Sequence, residues 1–432
     1  MTVPWAVLAS STAALPDVPG LLLTLAAIFA ATRLLGELAQ RMRQPAVLGE
    51  LVAGVLLGAS VLGVLDPNDP IIHVLSELGV LVLLFQIGLE TDLRKPKEVG
   101  GAALAVGVTG VVLPFAGGAA VAVALGLPYM SALVIGAALT ATSIGISARV
   151  LGDLGRLQTR EGQIVLGAAV LDDVIGLIIL AVVAGIVAGG AVTPLLVART
   201  TLEAVGFVVG ALVAGSLLVK PIMAVVSRLQ VAGALGVAAL AFAFLFAALA
   251  AKAGSAMIIG AFVAGLVLHR TPQRHEIERA TISVGHLLVP VFFAAVGAQV
   301  EVGALLTPAA LGLGALLVVG GVLSKVAAGY APWWFTGRKL LIGVAMVPRG
   351  EVGLIFAQVG AAAGVLAGPQ IGAVMAMVVV TTFITPPLLG MIVGPRPPGG
   401  GGDGVDGVGV DELVAGRSQR QRRETAQGRR LG

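Results

Sequence analysis

The chain has 432 residues, 57% of them hydrophobic and only 12% charged, with a mean hydropathy of +1.02. A soluble domain carries about a quarter charged residues, so this composition excludes a water-soluble globular fold and points to a polytopic membrane protein. There are no cysteines, which rules out disulfides, thiolate metal sites and thiol nucleophiles.

In chain order, residues 1–19 lack a basic n-region, since no Lys or Arg precedes Arg33, and read as a short external leader rather than a secretory signal. Residues 20–393 then form apolar runs of about 20 residues, the length that crosses roughly 30 Å of hydrocarbon at 1.5 Å per residue. The runs are continuous instead of alternating, so the spans are predicted to be helices, not barrel strands. Splitting at Gly, Pro and charge clusters gives thirteen spans: 20–39, 45–64, 71–90, 101–125, 129–150, 162–188, 200–219, 231–251, 254–269, 283–301, 311–332, 339–362 and 368–392. The tail, 394–432, is Gly-rich and Arg-rich, reads as disordered by composition, and is too short for a folded regulatory domain.

Basic residues sort onto alternate connections. Those after odd-numbered spans hold Arg41, Arg43, Arg94, Lys95, Lys97, Arg149, Arg156, Arg160, Lys220, Arg228, Arg270, Arg274, Arg279, Arg338 and Lys339; those after even-numbered spans hold Arg199 and Lys252. By the positive-inside rule the odd connections and the C-terminus are cytoplasmic and the N-terminus is outside, in a plasma membrane. Arg33, Glu37 and Glu50 lie near predicted span ends and are expected to snorkel to the interface.

Five charges fall deeper. Counted from the cytoplasmic ends, Asp172 lies at about 15 Å, Lys325 at about 12 Å, and Arg349 and Glu351 at about 15–18 Å, while Thr142 and Ser143 lie at about 11–12 Å. With Asp173 beside Asp172, four spans thus place polar groups in one layer. Each mid-span charge costs roughly 2.5–3.5 kcal/mol on insertion scales, so such residues mark ion paths far more often than they staple helices. Neighbours on a helix point about 100° apart, which lets one aspartate face Lys325 and the other a cavity. Two such carboxylates titrate in coupled steps, and a cation can take the place of their protons.

Two spans are predicted to be interrupted. Pro348 and Gly350 in "AMVPRGEVGLIF" remove a donor and weaken the helix; "ALTATSIGISARVL" has no proline, but Thr140, Thr142, Ser143 and Ser147 could satisfy freed backbone groups or simply bond back to their own helix. The two spans are seven apart, so they run in opposite directions, as in transporters built from inverted repeats with a midplane site.

These residues resemble a family, the monovalent cation:proton antiporters of the Kef and NapA type. The matching segments are "QPAVLGELVAGVLLGASVLG" (44–63), "LGVLVLLFQIGLETDLRK" (78–95), "ALTATSIGISARVL" (138–151), "VLDDVIGLIIL" (170–180), "VFFAAVGAQVE" (291–301), "SK" (324–325) and "MVPRGEVGLIFA" (346–357). The resemblance implies an all-α membrane fold of about 13 helices, with inverted repeats, two crossed discontinuous helices, and core and dimerisation domains in a homodimer. It also implies that Asp173 is the principal ligand of the transported cation, that Asp172 binds with it and partners Lys325, and that Arg349 and Glu351 neutralise helix-dipole ends at the crossover. Two aspartates with a lysine look like the electrogenic arrangement.

The function expected is therefore exchange of protons for a monovalent cation, Na+ foremost, with Li+ or K+ as possible cargo and no cofactor. Potassium/proton exchange or potassium efflux is the alternative, weakened because the chain shows no large C-terminal nucleotide-binding domain. An intramembrane aspartyl protease is a remote alternative: that chemistry needs aspartates converging from different elements, and these are adjacent on one. No Gly-rich phosphate loop, zinc constellation or nucleic-acid-binding pattern is present, so neither an enzyme nor a nucleic-acid partner is expected; the lipid bilayer is.

Overall fold

The computed structural model describes residues 17–91, 96–187, 194–228, 231, 233–300, 303 and 308–393. The expected leader, apart from its last three residues, and the Arg-rich tail lie outside them. Each of the thirteen apolar runs overlaps a helix or a pair of helices. The helices are α1 (Val18–Arg41), α2 (Ala46–Leu57), α3 (Pro70–Glu90), α4 (Pro96–Ala124), α5 (Tyr129–Ala138), α6 (Ile144–Asp153), α7 (Arg160–Val187) and α8 (Pro194–Val226). They continue as α9 (Ala234–Lys252), α10 (Met257–His269), α11 (Arg274–Ala298), α12 (Pro308–Gly329), α13 (Lys339–Ala345), α14 (Glu351–Ala362) and α15 (Gly368–Val393). Among the described residues, nine helices are long and apolar enough to cross a membrane, and α2, α5 and α10 are shorter apolar helices.

Both expected interruptions are present. The fifth run breaks between α5 and α6 at residues 139–143, and the twelfth between α13 and α14 at residues 346–350. The second run is shorter than expected. Helix α2 stops at Gly58, and the chain turns through Gly63 (φ 63°) into a bridge between Gly58 and Leu65. Glycine tolerates that left-handed backbone, and Pro67 cannot extend a helix backwards.

The helices pack as two bundles. In one, α1 lies on α2, α2 and α3 on α11, and α3 and α9 on α10; in the other, α4 packs on α5, α7 and α12, and α12 on α13 and α15, with α5 against α14. Helix α8 bridges them, touching α7 on one side and α9 and α10 on the other. Small residues allow close approach in the first bundle: a Cβ on Gly54 would strike the Ala294 carbonyl of α11, and one on Gly265 the Phe85 carbonyl of α3. Small residues at helix contacts are how membrane helices gain dispersion contacts when lipid offers no hydrophobic drive.

The bundles meet along a seam in which α6 lies against α2 and α3, and α15 against α2. One apolar cluster spans it, with Val47, Leu51, Val80 and Leu83 from the first bundle and Ile144, Ile146, Ala148 and Leu151 from the second. Lipid-facing surfaces elsewhere are rich in exposed apolar side chains such as Leu22, Leu23, Leu202 and Leu217. In water that much apolar area would be a liability; against acyl chains it is the expected surface.

Candidate functional site

The site lies where the broken helices cross. Breaking a helix in an apolar bundle leaves backbone donors and acceptors that must find partners. Here they find one another: the Ser143 amide donates to the Pro348 carbonyl at 2.8 Å. The Thr142 hydroxyl donates to the Met346 carbonyl (3.3 Å), and the Ser147 hydroxyl to the Ala345 carbonyl (2.6 Å), the last turn of α13. Gly350 permits the close crossing, since a Cβ there would stand 3.0 Å from both the Cβ and the Oγ of Ser143.

Arg349 is fully buried and carries the fixed positive charge of the crossing. Its Nη1 donates to the carbonyls of Thr140 (3.3 Å) and Ala141 (3.1 Å), just past the C-terminus of α5. A guanidinium on the free carbonyls of a helix end complements the negative pole of the dipole. Thr140 contributes only that carbonyl, for its hydroxyl bonds back to Ala137 at 2.7 Å, as helical threonines commonly do. Glu351 begins α14, the positive end of that half-helix; its side chain lies outside the described residues.

Sequence reasoning missed Thr382, whose hydroxyl donates to the Arg349 carbonyl at 2.6 Å and ties the break to α15. The hydroxyl-rich run "TTFIT" (381–385) in an otherwise apolar span was the available signal. Its neighbours Thr381 and Thr385 bond back within their own helix, to Met377 and Thr381, so composition alone did not separate the useful hydroxyl from the others.

Beside the crossing, the Lys325 Nζ of α12 stands 3.3 Å from the Asp172 Oδ2 of α7, with both side chains out of contact with solvent. Asp173, 8% exposed, interacts electrostatically with the same ammonium. Arg349 in turn interacts with Asp172. Asp172, Asp173, Lys325 and Arg349, four of the five charges that share a predicted depth, therefore also share a neighbourhood. Asp172 Oδ1 and the Nε and Nη2 of Arg349 are buried without a hydrogen-bond partner among the described residues. Such orphaned polar atoms are rare in native interiors and point to a ligand, an ion or water. No cluster of three or more His, Asp or Glu suited to a multivalent metal occurs among the described residues.

One sequence expectation fails away from the site. Glu50, expected to snorkel, is 3% exposed, and Arg149, counted with the basic loops, is directed at it across the seam, 3.8 Å from Arg149 Nη2 to Glu50 Oε1. Depth counted along one span could not reveal a partner on another. Arg33 and Glu37 are exposed.

Residues 24–393 match the family described as sodium/hydrogen exchanger, transmembrane. The chain belongs to the sodium/hydrogen exchanger family. It is 40% identical over 411 residues to the high-affinity Na+/H+ antiporter NhaS3 of Synechocystis sp., covering 86% of this chain and 89% of that one. It is 36% identical over 370 residues to the Na+/H+-K+ antiporter GerN of Bacillus cereus, covering 84% and 94%. The solved structure of the sodium proton antiporter MjNhaP1 from Methanocaldococcus jannaschii superposes with a TM-score of 0.65 at 17% identity, covering 87% of this chain and 98% of that one. That likeness establishes the shared fold of this multi-span membrane protein.

Proposed function

We propose that the chain is a secondary antiporter that exchanges protons for a monovalent cation, Na+ foremost, by alternating access. The observation that carries this is the Asp172–Lys325 pair, sealed from solvent beside two crossed broken helices, with one Asp172 oxygen left unbonded. Two relatives named as Na+/H+ antiporters, NhaS3 and GerN, support the same cargo.

The chemistry follows from charge balance. With Asp172 ionised against the Lys325 ammonium and Asp173 protonated, the three groups are neutral. A cation arriving between the carboxylates displaces the Asp173 proton and leaves the net charge unchanged. If the cation also takes the ammonium's place opposite Asp172, Lys325 releases its proton too; two protons then leave for one cation, and transport moves charge. Competition between like cations in a water-poor layer favours that release, because unscreened repulsion there is strong. The electrogenic, Kef and NapA type reading rests on this second step. Asp173 is the principal ligand in the proposal, Asp172 its partner, and Thr142, Ser143 and Arg349 with Glu351 hold the crossing around them.

In the same reading, α4–α7 and α12–α15 are the two inverted repeats, each a pair of packed long helices flanking a broken one. They form the moving core. The α1–α3 and α9–α11 bundle is the dimerisation domain of a homodimer, with basic connections and the C-terminus on the cytoplasmic side of the plasma membrane. Potassium is the second cargo to consider, because GerN is named as an Na+/H+-K+ antiporter.

The test is cation-driven proton flux in liposomes, run with Na+, Li+ and K+ and with the membrane potential clamped or free. Flux driven by Na+, altered by potential and lost in Asp173→Asn, is the expected result. Wild-type exchange by the Asp173→Asn protein would overturn the site assignment, and insensitivity to potential the two-proton step.

A further inference from the structure

The seam between the bundles carries a charged group that the ion site does not use. Glu50 stands on α2 of the first bundle; Arg149 and Asp153 stand one turn apart on α6 of the second. Arg149 reaches Glu50 Oε1 through Nη2 at 3.8 Å and Asp153 Oδ1 through Nε at 3.3 Å. Glu50 is the most deeply buried of the three, with side-chain exposures of 4% for Glu50, 24% for Arg149 and 19% for Asp153. Glu50 also interacts electrostatically with Arg33 of α1, a cation of its own bundle. Close by, the Gln158 amide bonds the Glu90 carbonyl at the C-terminus of α3, a second polar contact between bundles at the same end.

We propose that Glu50 and Arg149 form a latch that holds the bundles together at the α6 end, and that each closing and opening of this seam makes and breaks their ion pair. The proposal rests on the alternating-access reading above. Its physical basis is partner exchange. Separating a buried ion pair ordinarily strands two charges, which is strongly unfavourable. Here, moving the bundles apart leaves Arg149 with Asp153, four residues on along the same helix, and leaves Glu50 in the longer-range field of Arg33, whose guanidinium donates to the His286 carbonyl. Each bundle keeps an internal counter-charge, so the latch can open without an isolated ion in the apolar seam. Glu50 and Arg149 are then positioning residues that act through the seam and never touch the cargo.

Because the chain has no native cysteine, a single introduced thiol reports the seam. Val47 is wholly buried in the cluster that crosses it. The experiment measures the rate of maleimide labelling of Val47→Cys in nanodiscs, first with the parent sequence and then with Glu50→Gln, Asp153→Asn and Arg33→Gln added singly. Glu50→Gln removes the latch and is expected to raise labelling about tenfold, between the effect of a surface pair and that of a fully buried one. Asp153→Asn and Arg33→Gln remove the alternative partners of the open state, so both are expected to slow labelling below the parent rate. Asp153→Asn also relieves the repulsion between Asp153 and Glu50, so the discriminating variant is Arg33→Gln, for which a purely structural role predicts faster labelling. Labelling in Glu50→Gln no faster than the parent, or in Arg33→Gln no slower, overturns the proposal; if Glu50→Gln does not fold, the Arg33→Gln rate decides. The readout needs no ion flux, so a failure of the antiport reading, which flux reports, remains separate from a failure of the latch.

Discussion

At the residue scale, the buried charged cluster was legible because charge inside an apolar span is conspicuous. Asp172, Lys325 and Arg349 were found by depth alone, and the 3.3 Å pair is the meeting that depth predicts. What depth could not supply was direction. The Glu50–Arg149 contact and the Thr382 bond to the Arg349 carbonyl both join different helices, and a helical hydroxyl or an end-of-span carboxylate has a common local explanation that the sequence alone cannot displace. Removing one member of the buried pair should expose the cost of the other. Lys325→Gln strands Asp172 and is expected to lose about 3–5 kcal/mol of stability, with Asp172→Asn/Lys325→Gln recovering much of it, as read by thermal unfolding in detergent. Equal stability of the single and double variants would show that the two groups do not share an ion pair. Thr382→Val is expected to cost about 1 kcal/mol by the same assay, the ordinary net value of one hydrogen bond.

The element scale separates the two broken helices. The α13–α14 break was written in the sequence, since Pro348 and Gly350 both oppose a helix there. The α5–α6 break was written only faintly. No proline lies between Leu139 and Ser143, and the interruption persists because Arg349 takes the Thr140 and Ala141 carbonyls while Pro348 takes the Ser143 amide. Tertiary partners, supplied by a segment 200 residues away, decide that local structure. The crossing makes a specific steric prediction. Gly350→Ala places a methyl 3.0 Å from Ser143 and is expected to cost about 1–3 kcal/mol by overpacking. Ser143→Gly removes the atoms it strikes, and Ser143 offers no side-chain cap to lose, so Ser143→Gly/Gly350→Ala should recover most of the melting temperature. Failure of that rescue would mean that the two breaks do not limit each other.

At the scale of the whole molecule, thirteen apolar runs gave the helices but not their grouping. Bundle membership depends on which faces meet, and nearly uniform hydrophobicity hides the faces: in lipid both the buried and the exposed side of a helix are apolar. The seam joining the bundles is therefore the part least visible in sequence and the part that alternating access must move. A Cβ added to Gly390 of α15 would stand 3.8 Å from the Oε1 of Gln44, two residues before α2. Joining Gln44→Cys to Gly390→Cys with a short cleavable bis-thiol reagent is expected to stop exchange, and cleavage of the linker to restore it. Continued exchange in the joined protein would show that transport proceeds without relative movement of the bundles at this end.

The central claim is that the same carboxylates hold protons and cation in turn. It is tested most directly by adding Na+ to the purified, weakly buffered protein and recording protons released per site with a pH indicator. Stoichiometric release from the wild-type chain and none from Asp173→Asn is the expected result. Undiminished release from that variant, or no release from the wild type while Na+ binds, would contradict it.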